Sequence, residues 1–227
     1  MENNNEIGIG NQILIAALTS IAASFPVLAS LAAGWNEYKN ITQVRNFNDI
    51  LSRFAQELTV LKENVDQNYL GSDELKKLIW QVITKGKDEN IEEKRQYYAE
   101  YLANATTNRL SRDTEKEMIL ETISKLSIRQ IELLADTASK INDMHTENIN
   151  RCNDENDRPS FIRHVNDEEP TREMAISNES DTAIIDYMLS IGVFEHALQR
   201  RTYIQDGVRA FTISGLGWRV LQYLDKC

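Results

Sequence analysis

Seven apolar side chains, Val44, Phe47, Leu51, Phe54, Leu58, Leu61 and Val65, recur at alternating spacings of three and four. That repeat keeps one apolar seam along a single helix and is incompatible with the two-residue period of a strand. It predicts a helix over about Thr42–Asp66, with Arg53, Gln56, Glu57, Lys62 and Glu63 on the other faces. A coiled-coil seam of about three heptads fits the spacing, and so does a long helix packed inside its own bundle. Nine Gly and three Pro in 227 residues leave long uninterrupted elements as the rule.

The residues that follow continue in the same vein. Gly71-Ser72 breaks the chain, and Ser72 is a good N-cap with Asp73 and Glu74 in the first turn, where the helix dipole favours acids. That helix runs to about Lys85 with Leu75, Leu78, Ile79, Val82 and Ile83 apolar. Asn90 with Glu93 forms a capping-box pattern for a helix to about Arg109, whose inward stripe is Tyr98, Tyr101, Leu102 and Ala105. A helix over about Thr114–Lys125 carries the apolar residues Met118, Ile119 and Ile123. Ser127 with Gln130 caps the next, with Ile131, Leu134, Ala138 and Ile141 on one side.

Beyond about Asp143 the chain becomes polar and aperiodic, with Pro159 and Pro170, and reads as a linker over 144–176. Arg158-Pro159-Ser160-Phe161-Ile162 reads as a candidate docking point within it. The last block, 177–227, has a different texture. A helix from Ser177 to Ile191 carries Ala183, Ile184, Tyr187, Met188 and Ile191 and stops at Gly192. Strands over Arg201–Gln205 and Val208–Ile213 flank Asp206-Gly207, a hairpin turn signal, and Ser214 opens a final helix. The fold class expected is mainly α, a helical bundle over 39–143 with a C-terminal winged-helix-like module of helix, β-hairpin and helix.

The head of the chain is the other constraint. Ile7–Trp35 carries no charge, with Glu6 before it and Glu37 after it. Its heart, Ile13–Leu31, has the length of a membrane span, about 20 residues. Ala and Ser dominate it, however, and Pro26 removes a helix hydrogen bond mid-way. A kinked span and a packed helical hairpin are both natural for the segment 1–38. In either case Ile13, Leu14, Leu18, Ile21, Phe25, Val27, Leu28, Leu31 and Trp35 supply the membrane or oligomer contact. Glu2 and Glu6 before the segment and Lys39 and Arg45 after it place the body on the cytoplasmic side.

Catalytic constellations are hard to find. There is no P-loop, HExxH or GxSxG, and Gly8-Ile9-Gly10 and Gly215-Leu216-Gly217 are too short for dinucleotide fingerprints. His145, His164 and His196 are scattered, and Cys152 and Cys227 form no paired motif, as free thiols of a reducing compartment would not. Glu92-Glu93 serves a helix dipole, and Asp167-Glu168-Glu169 lies in the linker. No catalytic, cofactor-binding or metal residues are therefore expected, and the protein reads as a non-enzyme.

Charge also bears on partners. Asp and Glu outnumber Lys and Arg 35 to 25, a net charge of −10, which repels phosphate backbones. The helix before the wing carries Glu179, Asp181 and Asp186 and no Lys or Arg from Ser177 to Gly192. Only Arg200, Arg201 and Arg209 could serve as a wing contact. A soluble regulator that touches nucleic acid through them is the alternative to a protein-binding role, and this charge pattern disfavours it.

Glu92-Glu93-Lys94-Arg95-Gln96-Tyr97-Tyr98-Ala99-Glu100-Tyr101-Leu102-Ala103-Asn104-Ala105, followed by Leu126-Ser127 opening a helix to Leu133-Leu134, resembles bacterial and phage-borne helical proteins of the abortive-infection alpha-like family. Phe211-Thr212-Ile213-Ser214-Gly215-Leu216-Gly217 with Val220-Leu221 is similar to their terminal strand, turn and helix. The likeness covers about half the chain. It implies a bacterial or mobile-element origin and a role in phage defence, and it supplies no catalytic residues. The expectation is an accessory or effector protein, attached by its head to the inner membrane face or to copies of itself, whose helical body binds a protein partner.

Overall fold

The computed structural model describes residues 41–153, 179–196 and 211–226. They form α1 (Ile41–Leu61), α2 (Gln67–Leu70), α3 (Asp73–Gly86), α4 (Glu92–Ala105), α5 (Lys116–Lys125), α6 (Ile128–Asn153), α7 (Glu179–Ser190), β1 (Phe194–His196), β2 (Phe211–Ile213) and α8 (Gly215–Tyr223). The chain is mainly helical, with one antiparallel strand pair near its C-terminal end, as expected. Contacts divide the described residues into two compact units: 41–125 with Tyr223–Asp225, and those between 126 and 222 with Lys226.

In the first unit α1 lays its seam on α4 and α3. Phe47, Leu51 and Phe54 are fully buried and Leu58 nearly so, but Ile50 and Ala55 are buried beside them. That stripe is wider than a two-stranded seam and belongs to a helix in its own bundle. The helix ends at Leu61 rather than Asp66, because Lys62 takes a left-handed φ of 38° and a short 3-10 turn, Lys62–Asn64, follows. Val65 thus leaves the seam and bridges Thr107 instead. Asp66 N donates to Thr106 O (2.9 Å) and Asn108 N to Asn64 O (2.8 Å), which joins the two loops at one end of the bundle.

The remaining elements follow local capping chemistry. Asp66 accepts from Asn68 N and Tyr69 N to start α2, and Ser72 Oγ accepts from Leu75 N to start α3. The expected Asn90 box is not used. Ile91 occupies the N-cap of α4 without a side-chain cap, and Glu89 Oε1 accepts from Ile91 N (3.0 Å). Helix α4 closes at Ala105, short of Arg109, where Thr106 Oγ1 donates to Ala103 O (2.7 Å). It touches α1, α3 and α5, and so is the central element of the unit. Helix α5 begins at Lys116 and buries Ile119, Leu120 and Ile123, whereas Met118 is exposed.

In the second unit the Ser127 capping box forms reciprocally: Ser127 N donates to Gln130 Oε1 (2.7 Å) and Gln130 N to Ser127 Oγ (3.3 Å). Helix α6 buries Ile131, Leu134, Ala138 and Ile141 and packs against β2. The unit boundary therefore falls at Lys125–Leu126, earlier than the break near Asp143 that polarity suggests. The helix also runs on to Asn153, where polarity alone predicts linker. Helix α7 buries Ile185 and Met188 but leaves Ala183 and Tyr187 exposed, and Gly192 follows at φ 77°, as its place after the helix requires.

Strand β2 lies within the expected second strand, and its partner is Phe194–His196. The register sets Phe194 opposite Ile213 and His196 opposite Phe211. The expected strand Arg201–Gln205 and the Asp206-Gly207 turn lie outside the described residues. Ser214 Oγ donates to the Gly192–Val193 carbonyls and accepts from Gly217 N (3.1 Å), starting α8 against the pair.

Candidate functional site

Of the residues singled out from the sequence, Phe47, Leu51, Phe54 and Leu58 of the seam lie in the core of the first unit, with Val44 and Leu61 half-buried. With Phe47, Leu51 and Phe54 at 0% exposure, α1 has spent that face on α3 and α4. The apolar head, Ile13 through Trp35, and the wing arginines Arg200, Arg201 and Arg209 lie outside the described residues. Among the described residues no helix is long and apolar enough to cross a membrane. No group of three His, Cys, Asp or Glu there could hold a metal ion.

The structure instead shows a polar cleft of about 380 Å³ in the first unit. Helix α3 supplies Glu74, Lys77, Leu78 and Gln81 to it, the α4–α5 connection supplies Ser111 through Thr114, and the start of α5 supplies Lys116 and Glu117. Lys116 forms its floor. It is 4% exposed, and its Nζ donates to Glu74 Oε1 (2.9 Å), Ser111 O (2.6 Å) and Asp113 O (2.9 Å). It also stands 4.6 Å from the centre of the Tyr69 ring. Three acceptors match the three protons of an ammonium, so this lysine is a cross-brace and not a nucleophile.

Around it the polar groups are similarly engaged. Tyr69 Oη donates to Glu74 Oε1 (3.2 Å), and burial with the nearby Glu74 charge raises that phenol above its ordinary range. Ser111 Oγ donates to Asp66 Oδ2 (2.8 Å); that bond, with those from the Tyr69 and Asn68 amides, holds the Asp66 carboxyl below its ordinary value against the opposing effect of desolvation. Lys77 Nζ pairs with Glu117 Oε1 (2.7 Å), and bonds from Lys77 and Gln81 lower the Glu117 carboxyl. Arg112 and Thr114 lie exposed on the rim. Most charges of the cleft thus engage one another and hold the connection in one shape, while Gln81 Oε1 is buried without a hydrogen-bond partner.

A second network joins α1 to α4. Asp49 accepts from Arg53 Nε (2.8 Å) and Arg95 Nε (2.6 Å), and Arg53 reaches Gln96 (2.9 Å) and Glu92 (2.5 Å). Burial raises the Asp49 carboxyl, but the hydrogen bonds from Arg95 and Arg53 outweigh it and the net shift is downward. On the far side of α4, Lys94 Nζ donates to Ile123 O (2.5 Å), one of the terminal carbonyls of α5. Burial depresses this ammonium to about 8 despite the Glu89 charge.

The cleft and these networks join residues some forty positions apart, and no spacing rule in the sequence announces them. No protein-family model matches the chain, and neither a curated protein nor a solved structure does.

Proposed function

We propose that the protein is a non-enzymatic bacterial accessory or effector, of the kind that serves phage defence or a mobile element. Its apolar head associates with a membrane or with copies of itself, and its helical body binds a protein partner on the cytoplasmic side. One observation carries this reading: the uncharged run Ile7–Trp35 adjoins a body whose own apolar seam is consumed inside its bundle. The burial of the seam favours the head over α1 as the surface by which copies meet. The saturated charges of the cleft fit a body that presents a fixed surface rather than one that turns over a substrate.

Alkaline carbonate extraction of cells expressing the full chain tests the reading, combined with size measurement in and out of detergent. The expected outcome is a membrane-pelleted or oligomeric protein that Leu18→Arg with Leu28→Arg converts to a soluble monomer. A wild-type chain that is wholly extractable and monomeric would sink the proposal. Contact with nucleic acid through Arg200, Arg201 and Arg209 is opposed by the acidic helix before the strands, on which Asp186 is exposed.

A further inference from the structure

Tyr223, the last residue of α8, belongs with the first unit although it stands 110 residues beyond Asp113. It is fully buried, and its ring stacks on that of Tyr101 at 5.2 Å between centroids and 28° between planes. Its hydroxyl donates to Asp113 Oδ2 (2.6 Å), and its carbonyl accepts from Asn104 Nδ2 (3.1 Å). Tyr101 in turn donates through Oη to Lys116 O (2.7 Å). Both tyrosines therefore bear on the connection that walls the cleft.

Asp113 is the pivot. Its Oδ1 accepts from Glu115 N (2.9 Å), its backbone carbonyl accepts from Lys116 Nζ, and its Oδ2 takes the Tyr223 hydroxyl. We propose that Tyr223 is a removable strap: inserted, it clamps the 106–115 connection and sets the shape of the polar cleft, and withdrawn, it lets that connection loosen while the α1–α3–α4 core stays folded.

Three features make withdrawal feasible without unfolding. Asp113 is only partly buried and lines the cleft, so water can replace the phenol on a carboxylate that keeps its Glu115 bond. The residues contributed, Tyr223–Asp225, are few, and of them only Tyr223 and Leu224 are buried. The helix also ends on Asp225 at φ 50°, a left-handed turn that a side-chain-bearing residue adopts at a cost, closed by Lys226 N donating to Leu221 O (3.0 Å). That cap closes within the segment itself and does not depend on the ring's place in its slot.

Hydrogen exchange of the full chain tests this. Tyr223→Phe keeps the stack and loses the Asp113 bond, and is expected to speed exchange at the Asn108, Ser111 and Asp113 amides by about tenfold, the worth of one hydrogen bond. Exchange in α1 should not change. Tyr223→Ala should speed the same amides further. A uniform increase across α1 to α5, or no change at all, would overturn the strap and make Tyr223 an ordinary core residue. Should Tyr223→Ala fail to fold, the wild type still decides. Under weakly denaturing conditions 106–116 and 218–226 are expected to exchange together, ahead of α4. Exchange of both only with α4, in global unfolding, would refute the proposal.

Discussion

Helices α1 and α4 face each other across the first unit and were built by opposite rules. Along α1 the buried positions form one stripe, and residues such as Arg45 and Gln56 lie open to solvent. Along α4 nine of fourteen residues are buried, among them Lys94 and Arg95, and only a narrow polar strip, Glu92, Glu93, Gln96, Glu100 and Asn104, is left to mark it. The clean stripe belongs to a helix that covers one side of the core. The helix with the blurred pattern is the one surrounded by neighbours, and it buries charge only where acceptors wait: Ile123 O for Lys94, Asp49 and Glu89 O for Arg95. A tidy amphipathic repeat is therefore poor grounds for expecting an intermolecular interface.

The largest effect should come from testing the stripe itself. Phe54→Ala is expected to cost about 3–5 kcal/mol in denaturant unfolding, the price of emptying a core site, with an unchanged sedimentation mass. A small stability loss accompanied by dissociation would instead make the seam an interface between copies. Next, Lys116→Met should cost about 2–3 kcal/mol, because Ser111 O and Asp113 O lose their buried donor. An effect near zero would show that water reaches those carbonyls readily.

Lys94 separates the two helices by pH. Its folded pKa near 8 lies below the ordinary 10.5, so between those values the unfolded chain binds more protons and stability rises with pH. Below about pH 8 the ammonium is charged in both states and its full desolvation cost is present. The wild type should gain about 1–3 kcal/mol more than Lys94→Met over that window, read from urea midpoints at several pH values. Parallel curves would mean that the amine is well solvated. The smallest test compares two helix starts: Ser72→Ala should cost about 1 kcal/mol, and Asn90→Ala less than about 0.5. Equal losses would mean that α4 uses the Asn90 cap after all.

Local signals in the sequence carried much of this architecture. Ser72 and the Ser127–Gln130 box start helices where expected, and Ile131, Leu134, Ala138 and Ile141 share the buried face their spacing implies. What stayed hidden was set by neighbours. Val65 pairs with Thr107 because a left-handed Lys62 stops α1 early, and nothing in the heptad pattern marks that stop. Phe194–His196 is too short to display an alternation, so its role as the partner of Phe211–Ile213 emerges only in three dimensions. The cleft was illegible for the same reason: Glu74, Ser111 and Lys116 read individually as solvated loop and helix-start residues.

Two glycines foretell how such a sequence can drift. A Cβ at Gly217 would collide with the Val193 carbonyl, a piece of backbone that cannot step aside, and would meet Ile213 Cγ2 at 2.7 Å. At Gly86 the obstacle is the tip of a side chain, Ile50 Cδ1, with Tyr98 Cδ2 next at 3.2 Å. Position 217 should therefore read glycine in every descendant that keeps this fold. Positions 50 and 86 form a single coupled character, in which alanine enters at 86 where the tip of isoleucine at 50 turns aside or is trimmed.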